Sequence, residues 1–301
     1  MSLLIVGTLA FDCIETPNGT ADDVLGGSAS FSSFAASYFT KPSLIAPIGE
    51  DFPSGFRQVF AGRDIDLTGV ETYAGQKTFR WRGRYHQDMN TRDTLELHLN
   101  VLSNFEPKLH ASHKASTHVF LANLSPAIQA SVLNQVTKPA LAVADTMDYW
   151  IDNAKADLLK LLPRLDGLLL NDSEARLLTG EDSLVRAGES VRKLGPKFVI
   201  VKKGEHGAML FSEAGVSVLP AYPTREVRDP TGAGDTFAGG ILGYLSTQSS
   251  FTPSALRRAM AYGTVFASLT VEDFGLDRLK GVTMSEVDDR LAHYKGMLVI
   301  E

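Results

Sequence analysis

Short runs of consecutive apolar residues recur along the chain, at 3–6, 43–46, 118–121, 140–144, 167–170 and 198–201. A strand covered on one face alternates apolar and polar positions, whereas one covered on both faces stays apolar throughout. These runs predict buried strands. Segments of helical character lie between them, at 28–39, 126–135, 150–161, 173–178 and 184–194. Strand followed by helix, repeated, predicts an α/β fold with a mostly parallel sheet and helices on both sides. Beyond about residue 220 helices take over, at 231–245, 253–270 and 285–294.

One stretch departs from this pattern. Residues 78–86 alternate strictly, with Phe79, Trp81 and Tyr85 on one face and Arg80, Arg82, Arg84 and His86 on the other. A polar turn at 87–90 follows, and 94–100 alternates again. This predicts a hairpin with one apolar and one wet face. The segment 11–17 can pair with it, giving a small antiparallel sheet that projects from the main body. It reads either as an edge hairpin with solvated arginines or as a lid touching a substrate or a second subunit.

Composition narrows the class. The chain has 301 residues, 44% hydrophobic and 21% charged, ordinary for a globular protein. Its length suits two domains, or one α/β core with an accessory piece. With 29 Lys and Arg against 35 Asp and Glu, a net charge of −6 and no basic block, a nucleic-acid partner is not expected. The single cysteine, Cys13, cannot close an intrachain disulfide or build a structural zinc cage. The first residues show no basic segment or cleavage site, so no signal peptide is expected. The longest uncharged apolar stretch, 237–245, falls far short of the ~20 residues of a membrane span. A cytoplasmic protein without a membrane partner is the expectation.

The segment most informative about chemistry is Asp229-Pro230-Thr231-Gly232-Ala233-Gly234-Asp235-Thr236-Phe237-Ala238-Gly239-Gly240. Gly232 and Gly234 let the backbone turn sharply and gather N–H groups at one point. The helix that starts there adds its unpaired donors and the positive end of its dipole, so the place suits an anion. Asp235 falls in the first helical turn. An anion cradle beside a carboxylate suits phosphoryl transfer: the cradle steadies the moving group and the carboxylate takes the proton of the attacking hydroxyl. The same letters also fit a glycine-rich helix start with Asp as a cap. Other glycine loops fail on their letters. A dinucleotide fingerprint from Gly232 needs glycine where Phe237 stands, no Gly-Lys-Ser/Thr occurs, and a nucleophile elbow at Gly26-Gly27-Ser28-Ala29-Ser30 is out of frame.

Residues 229–240 resemble the carboxy-terminal signature of the ribokinase-like family, the phosphofructokinase-B-type carbohydrate and nucleoside kinases. The rest of the chain agrees in order. Val6-Gly7 through Asp12 resembles the first strand and its substrate-contacting aspartate, Gly26-Gly27 the double-glycine substrate turn, and Gly49-Glu50-Asp51 the next turn. Asn171-Asp172-Ser173-Glu174 matches the N-x-x-E motif, and the stretch from Lys202 to Ala208 resembles the nucleotide-binding glycine turn. The resemblance implies one three-layer α/β/α kinase domain over 1–301, with a β lid contributed by about 10–25 and 74–101. It implies an ATP-dependent kinase phosphorylating a primary hydroxyl. Carried over by position, Asp235 is the base and the amides of Gly232, Ala233 and Gly234 form the anion hole. Asn171 and Glu174 organise Mg2+ and the triphosphate, largely through water. Lys202, Gly204 and Gly207 line the nucleotide, Asp229 and Thr231 match a monovalent-cation (K+) site, and Asp12, Gly26, Gly27 and Ser28 hold the acceptor. A homodimer through the lid is a further expectation. Each residue also has a plain alternative: Asn171 and Glu174 as helix caps, Asp12 and Asp229 as turn residues, Lys202 as a surface lysine.

Two departures bear on the acceptor. The family often has Asn shortly after the double glycine, where this chain has Ser28-Ala29-Ser30-Phe31; either serine could replace the amide. The family's Asp-x-Asn-x-Arg stretch appears as Asp145-Thr146-Met147-Asp148-Tyr149, without the Asn and Arg. A sugar, the first expectation, needs several side chains pairing with hydroxyls. A nucleoside, the alternative, needs an aromatic slot, for which Phe11, Phe31 and the Phe79/Trp81/Tyr85 face are candidates. A phosphosugar would suit the row Arg80, Arg82 and Arg84. A sensor without turnover would require a damaged base or anion hole, and both are intact in the letters.

Overall fold

In the computed structural model, which describes residues 1–299, all six apolar runs are strands of one sheet. Thirteen strands follow in chain order: β1 (Leu3–Val6), β2 (Ala10–Thr16), β3 (Gly19–Gly26), β4 (Ser43–Gly49), β5 (Asp66–Tyr73), β6 (Phe79–Tyr85), β7 (Arg92–His98), β8 (His118–Leu121), β9 (Leu141–Asp145), β10 (Gly167–Asn171), β11 (Phe198–Lys202), β12 (Ala208–Ser212) and β13 (Gly215–Leu219). The main sheet runs β13-β12-β11-β10-β9-β8-β1-β4-β5 and is parallel from β11 to β5. The hairpin β12–β13 adds an antiparallel edge. Leu3 and Ile5 enter one hydrophobic cluster, Leu4 and Val6 the other, which is why the run tolerates no polar position.

The chain begins at β1 near the middle, grows outward through β4 and β5, then returns to β8 on the other side of β1. Strand order therefore reverses between β1 and β8, and ligands of such sheets bind in the crevice at the carboxyl ends of the strands.

A second sheet, β3-β2-β6-β7, forms the predicted lid. Its outer pairings are antiparallel, but β2 and β6 pair in parallel, Asp12 opposite Trp81. Both strands leave the main sheet from its carboxyl edge, β2 after β1 and β6 after β5, so they set out in the same direction.

Other elements were not visible in the sequence pattern: β3, β5, the hairpin β12–β13 and the helix Ser54–Ala61. The helix expected over 150–161 is two, Asp148–Asn153 and Lys155–Leu161, broken where Ala154 leaves helical geometry. The helix expected over 28–39 is Ser28–Ala36, and the one expected from Thr231 starts at Ala233. Among the described residues no helix is long and apolar enough to cross a membrane.

The helices Ser28–Ala36 and Ala233–Leu245 run against each other at backbone distance. A Cβ at Gly239 would overlap the Ser32 carbonyl, and one at Gly243 would come within 2.8 Å of the Ala36 backbone. Overpacking of this kind costs about 1–3 kcal/mol. Gly239→Ala should lose stability in that range in urea unfolding; a loss below about 0.5 kcal/mol would show that the helices can part freely.

Candidate active site

Three neighbouring strands end on polar residues: β9 on Asp145, β10 on Asn171 and β11 on Lys202. Asn171 pairs with Lys202 and Leu169 with Asp145, so the three sit together at the carboxyl edge. Lys202 Nζ donates to Asp145 Oδ2 at 2.6 Å. Burial disfavours the Lys202 ammonium, but Asp145 and then Glu174 outweigh it and raise its pKa. Asp145 is held in turn: the buried Gln129 amide donates to its carbonyl (3.0 Å) and to that of Ala122 (3.1 Å), tying β9 to β8. Next to it the Thr146 hydroxyl is buried with no partner among the described residues, a polar group left for a ligand.

Asn171 and Glu174 form a reciprocal cap. Asn171 Oδ1 accepts from the Glu174 amide (2.8 Å), while Glu174 accepts from the Asn171 amide (2.6 Å) and carboxamide (2.7 Å). The capping reading is thus realised, but an ordinary cap is exposed and this one is not. Glu174 is only 7% exposed. Burial pushes its carboxyl up to about 7 against the pull of Lys202.

The glycine bend lies on the other side of Lys202. Gly232 has φ +74° and stands against Phe31, whose ring occupies the space of a Cβ. Asp229 fixes the bend from below: its carboxylate accepts from the Thr231 amide (2.8 Å) and from the Gly275 amide (3.1 Å). The Ala233 amide turns back to the Pro230 carbonyl (3.2 Å), so of the three expected anion-hole amides it is occupied. Those of Gly232 and Gly234, and that of Asp235, meet no protein acceptor among the described residues. A Cβ on Gly234 would lie 3.5 Å from Lys202 Nζ, placing the ammonium beside this cradle rather than along the nucleotide turn. A unit charge ~4 Å away contributes about 4 kcal/mol at an effective dielectric of 20, against about 0.3–2 kcal/mol from a helix end. Asp145, paired with the ammonium at 2.6 Å, offsets part of that attraction, so Lys202 and the helix end share it. Burial, reinforced by Asp145, pushes the Asp235 carboxyl up to about 7, with Lys202 and Arg92 pulling it back. A carboxylate poised near neutrality suits a general base.

Asp12 completes the cluster from the lid side. Burial, then the charge of Asp229, pushes it up to about 8, with Asp235 also within range and the Gly27 amide opposing. Gly26 gives it room, since any side chain there would overlap its carboxyl. Gly27, at φ +92°, turns the chain into the helix Ser28–Ala36. The serines do not take over from the missing amide. Ser28 Oγ accepts from the Thr8 amide (3.2 Å), and Ser30 Oγ donates to the Gly26 carbonyl (2.6 Å).

The proposed aromatic slot is not formed as expected. Phe31 is buried under Gly232, and Phe11 packs on Phe52 and Phe56, capped by the Arg80 guanidinium 4.3 Å from its ring. Phe79 and Trp81 stay half-buried on the Asp12 face, while Tyr85 is buried. The Trp81 ring lies against Gly83 and its Nε1 donates to Thr94 Oγ1 (3.2 Å). The arginine row lies on the opposite face and is paired off: Arg80 with Asp23, Arg82 with Asp22 (3.1 Å) and Glu15 (3.5 Å), Arg84 with Glu15 (2.7 Å). It offers nothing to a phosphosugar. Gly204 and Gly207 flank the turn from β11 to β12, where the lid tip meets them: Asn90 Nδ2 donates to Glu205 Oε1 (3.2 Å).

Residues 2–279 match the pfkB family carbohydrate kinase domain. The chain belongs to this family of kinases. It is 28% identical over 247 residues to a cytidine kinase of Thermococcus kodakarensis, covering 80% of this chain and 87% of that one. It shares its fold with the nucleoside kinase of Burkholderia thailandensis in complex with inosine (TM-score 0.79, 18% identity, 98% of this chain and 97% of the other). The same holds for the aminoimidazole riboside kinase of Salmonella enterica, complexed with aminoimidazole riboside and an ATP analogue (TM-score 0.77, 19% identity, 97% and 100%). The kinase is accordingly a phosphotransferase acting on a hydroxyl group.

Sequence reasoning did not assign Asp145 a role, although it ends an apolar strand just as Asn171 and Lys202 do. Two outcomes follow for Asp235. Asp235→Asn should lower kcat by about 10²–10⁴ with ATP affinity retained; equal turnover would remove Asp235 from the base role. Because the carboxylate form is the base and its pKa is raised, kcat/KM should fall as pH drops through about 7; a profile flat from pH 5 to 8 would contradict this.

Proposed function

We propose that this kinase transfers the γ-phosphoryl group of ATP to a primary hydroxyl of a nucleoside, with a free sugar as the second reading. The observation that carries the transfer is the convergence of open amides at Gly232 and Gly234, the Lys202 ammonium and the Asp235 carboxylate. The acceptor oxygen attacks the γ-phosphorus, the bond from phosphorus to the bridging oxygen of ADP breaks, and the hydroxyl proton passes to Asp235. The amides and Lys202 hold the charge on the transferring oxygens.

The residues fit a magnesium ion held through water. Among the described residues no three His, Cys, Asp or Glu side chains gather as a cage, and both Glu174 oxygens already accept hydrogen bonds. Mg2+ keeps several waters and binds substrate phosphates, so Glu174 and Asn171 would hold it indirectly. Its chemistry there is to neutralise the phosphate oxygens. Asp229 and Thr231 do not form a side-chain cage for a monovalent ion: the carboxylate serves two amides, and Thr231 Oγ1 donates to the Tyr85 hydroxyl (3.2 Å). No step above requires potassium.

For the nucleoside the support is the Trp81 indole, opposite Asp12 in register and close against Gly83. It suits a base stacked on its face, while Asp12, raised to about 8, presents both a donor and an acceptor to ribose hydroxyls near neutrality. The similarity to a cytidine kinase supports the same choice. Turnover with a panel of nucleosides and sugars tests it directly: nucleosides should react with the higher kcat/KM, and a panel in which only free sugars react would reverse the order. Trp81→Ala should raise the nucleoside KM at least tenfold with ATP affinity unchanged. A shift in solution mass instead would assign the lid face to a dimer.

A further inference from the structure

The helix Pro126–Gln135 connects β8 to β9, and its buried residues are Pro126, Gln129 and Val132, one stripe at a spacing of three. The middle member of that stripe is an amide. Burying an amide costs free energy unless its hydrogen bonds are made, so a polar residue at this position points to specific partners. They are present. Gln129, only 1% exposed, donates through Nε2 to the carbonyls of Leu121 (3.1 Å), Ala122 (3.1 Å) and Asp145 (3.0 Å). The β8–β9 ladder ends at the pair Leu121 and Ala144, so Ala122 and Asp145 are the first residues beyond it. The amide bridges the two strands at the carboxyl edge, where their own ladder has stopped. β10 holds β9 from the other side, with Leu169 opposite Asp145.

This bridge lies between the two halves of the site. Toward β1, the Ala122 amide donates to the Val6 carbonyl (2.8 Å), on the strand that leads to Asp12. Toward β11, Asp145 Oδ2 accepts from Lys202 at 2.6 Å, while Oδ1 accepts from the Thr146 amide at 2.9 Å. Lys202 feels two carboxylates, Asp145 and Glu174, and it is Asp145 that it touches. We infer that Gln129 is a positioning residue for phosphoryl transfer: it fixes the end of β9 so that Asp145 holds the Lys202 ammonium beside the glycine bend. This rests on the function proposed above. Attraction between charges weakens with distance, so an Asp145 that drifts from β8 yields Lys202 to Glu174 and draws it away from Gly234. Displacing a group at the reacting centre by about 1 Å costs on the order of 10²-fold in rate, so a residue that never meets the substrate can still set kcat.

The test sets Gln129→Met, Asp145→Asn, the double variant and Gln135→Met beside wild type and Asp235→Asn, on an acceptor that wild type phosphorylates. Gln135 is the control. It ends the same helix, where it donates to the Pro107 carbonyl (2.8 Å) and accepts from the Leu109 amide (3.0 Å). Gln129→Met should lose about 10-fold to 10²-fold in kcat, with acceptor KM and ADP affinity within threefold of wild type. Gln135→Met should keep kcat within threefold, whatever its loss in melting temperature. Because Gln129 acts through Asp145, adding Gln129→Met to Asp145→Asn should change kcat by less than about threefold. Should Gln129→Met not fold, Gln129→Glu replaces it in the same cycle: it has the same reach, and burial keeps it protonated, leaving one donor for three carbonyls. Its kcat should fall at least threefold. A Gln129 variant within threefold of wild type overturns the assignment, and so does Asp145→Asn at full activity. An equal loss from the Gln129 variant with and without Asp145→Asn, or the same loss in Gln135→Met, overturns it as well, because the effect would then be general to the helix. Asp235→Asn separates the two levels. Full activity there overturns the base assignment whatever Gln129 does, whereas an inactive Asp235→Asn beside an active Gln129→Met removes Gln129 alone.

Discussion

The bend that presents Asp235 rests on an aromatic ring. Phe31 fills the space beside Gly232, so the backbone at 231–235 is pressed against the helix Ser28–Ala36 with nothing between. That helix begins at the Gly26–Gly27 turn, which also makes room for Asp12. One contact therefore fixes the separation of Asp12 from Asp235, the groups proposed to hold the acceptor and to take its proton. The close packing of Gly239 on Ser32 extends the constraint along both helices. An amide in place of Phe31 could offer a hydrogen bond to an acceptor, but it would not support the bend in the same way. In this chain the position supports the bend, and under the function proposed above recognition of the acceptor would fall to Asp12 and the lid.

Charge is the second constraint. Asp12, Asp145, Glu174 and Asp235 line one cleft, with Lys202 as the buried cation among them. Left to themselves these carboxyls resist ionisation, which is why burial raises Asp12, Glu174 and Asp235 together. A nucleoside triphosphate brings still more negative charge. Binding it calls for positive charge beyond Lys202, which a hydrated divalent ion near Glu174 would supply under the function proposed above. Lys202 cannot do so alone, because Asp145 already takes up its charge at 2.6 Å. The pair works as a fixed dipole at the end of β9 and β11, aimed at the glycine amides.

Much of this was legible in the letters. Consecutive apolar runs revealed each buried parallel strand because both faces of the main sheet are covered. The order of Gly232, Gly234 and Asp235 before an apolar helix marked the bend on which the proposed phosphoryl transfer rests. What was missed follows from physics that periodicity does not carry. β3, Gly-Thr-Ala-Asp-Asp-Val-Leu-Gly, is polar because most of it is exposed on the lid, and backbone pairing alone makes it a strand. The parallel pairing of β2 with β6 depends on where each leaves the main sheet. The helix break at Ala154 falls on the residue with the best helix propensity, so it reflects tertiary packing. Phe11 and Phe31 read as candidates for a base slot, but aromatic letters alone do not distinguish a ligand surface from a core. Asp145 stood out in the letters only as the start of the altered Asp-x-Asn-x-Arg stretch; its pairing with Lys202 is a tertiary contact that periodicity does not carry.

The lid shows how far a period of two can carry such an argument. Alternation separated Arg80, Arg82 and Arg84 from Trp81 and Tyr85 correctly, yet it could not say which face met the acceptor. Register puts Trp81 on the same face as the buried Asp12 and leaves the three arginines to neutralise Glu15, Asp22 and Asp23 on the other. The same register places the next arginine of the hairpin inside, across from Tyr85. Four side chains of one type on one hairpin thus have opposite electrostatic roles, three binding the lid to itself and one facing the cleft. The inner face is anchored at two separate points, Thr231 beside the glycine bend and Glu205 on the turn after β11. Two latches so far apart fix the orientation of the hairpin over the sheet edge, where one would leave it free to swing.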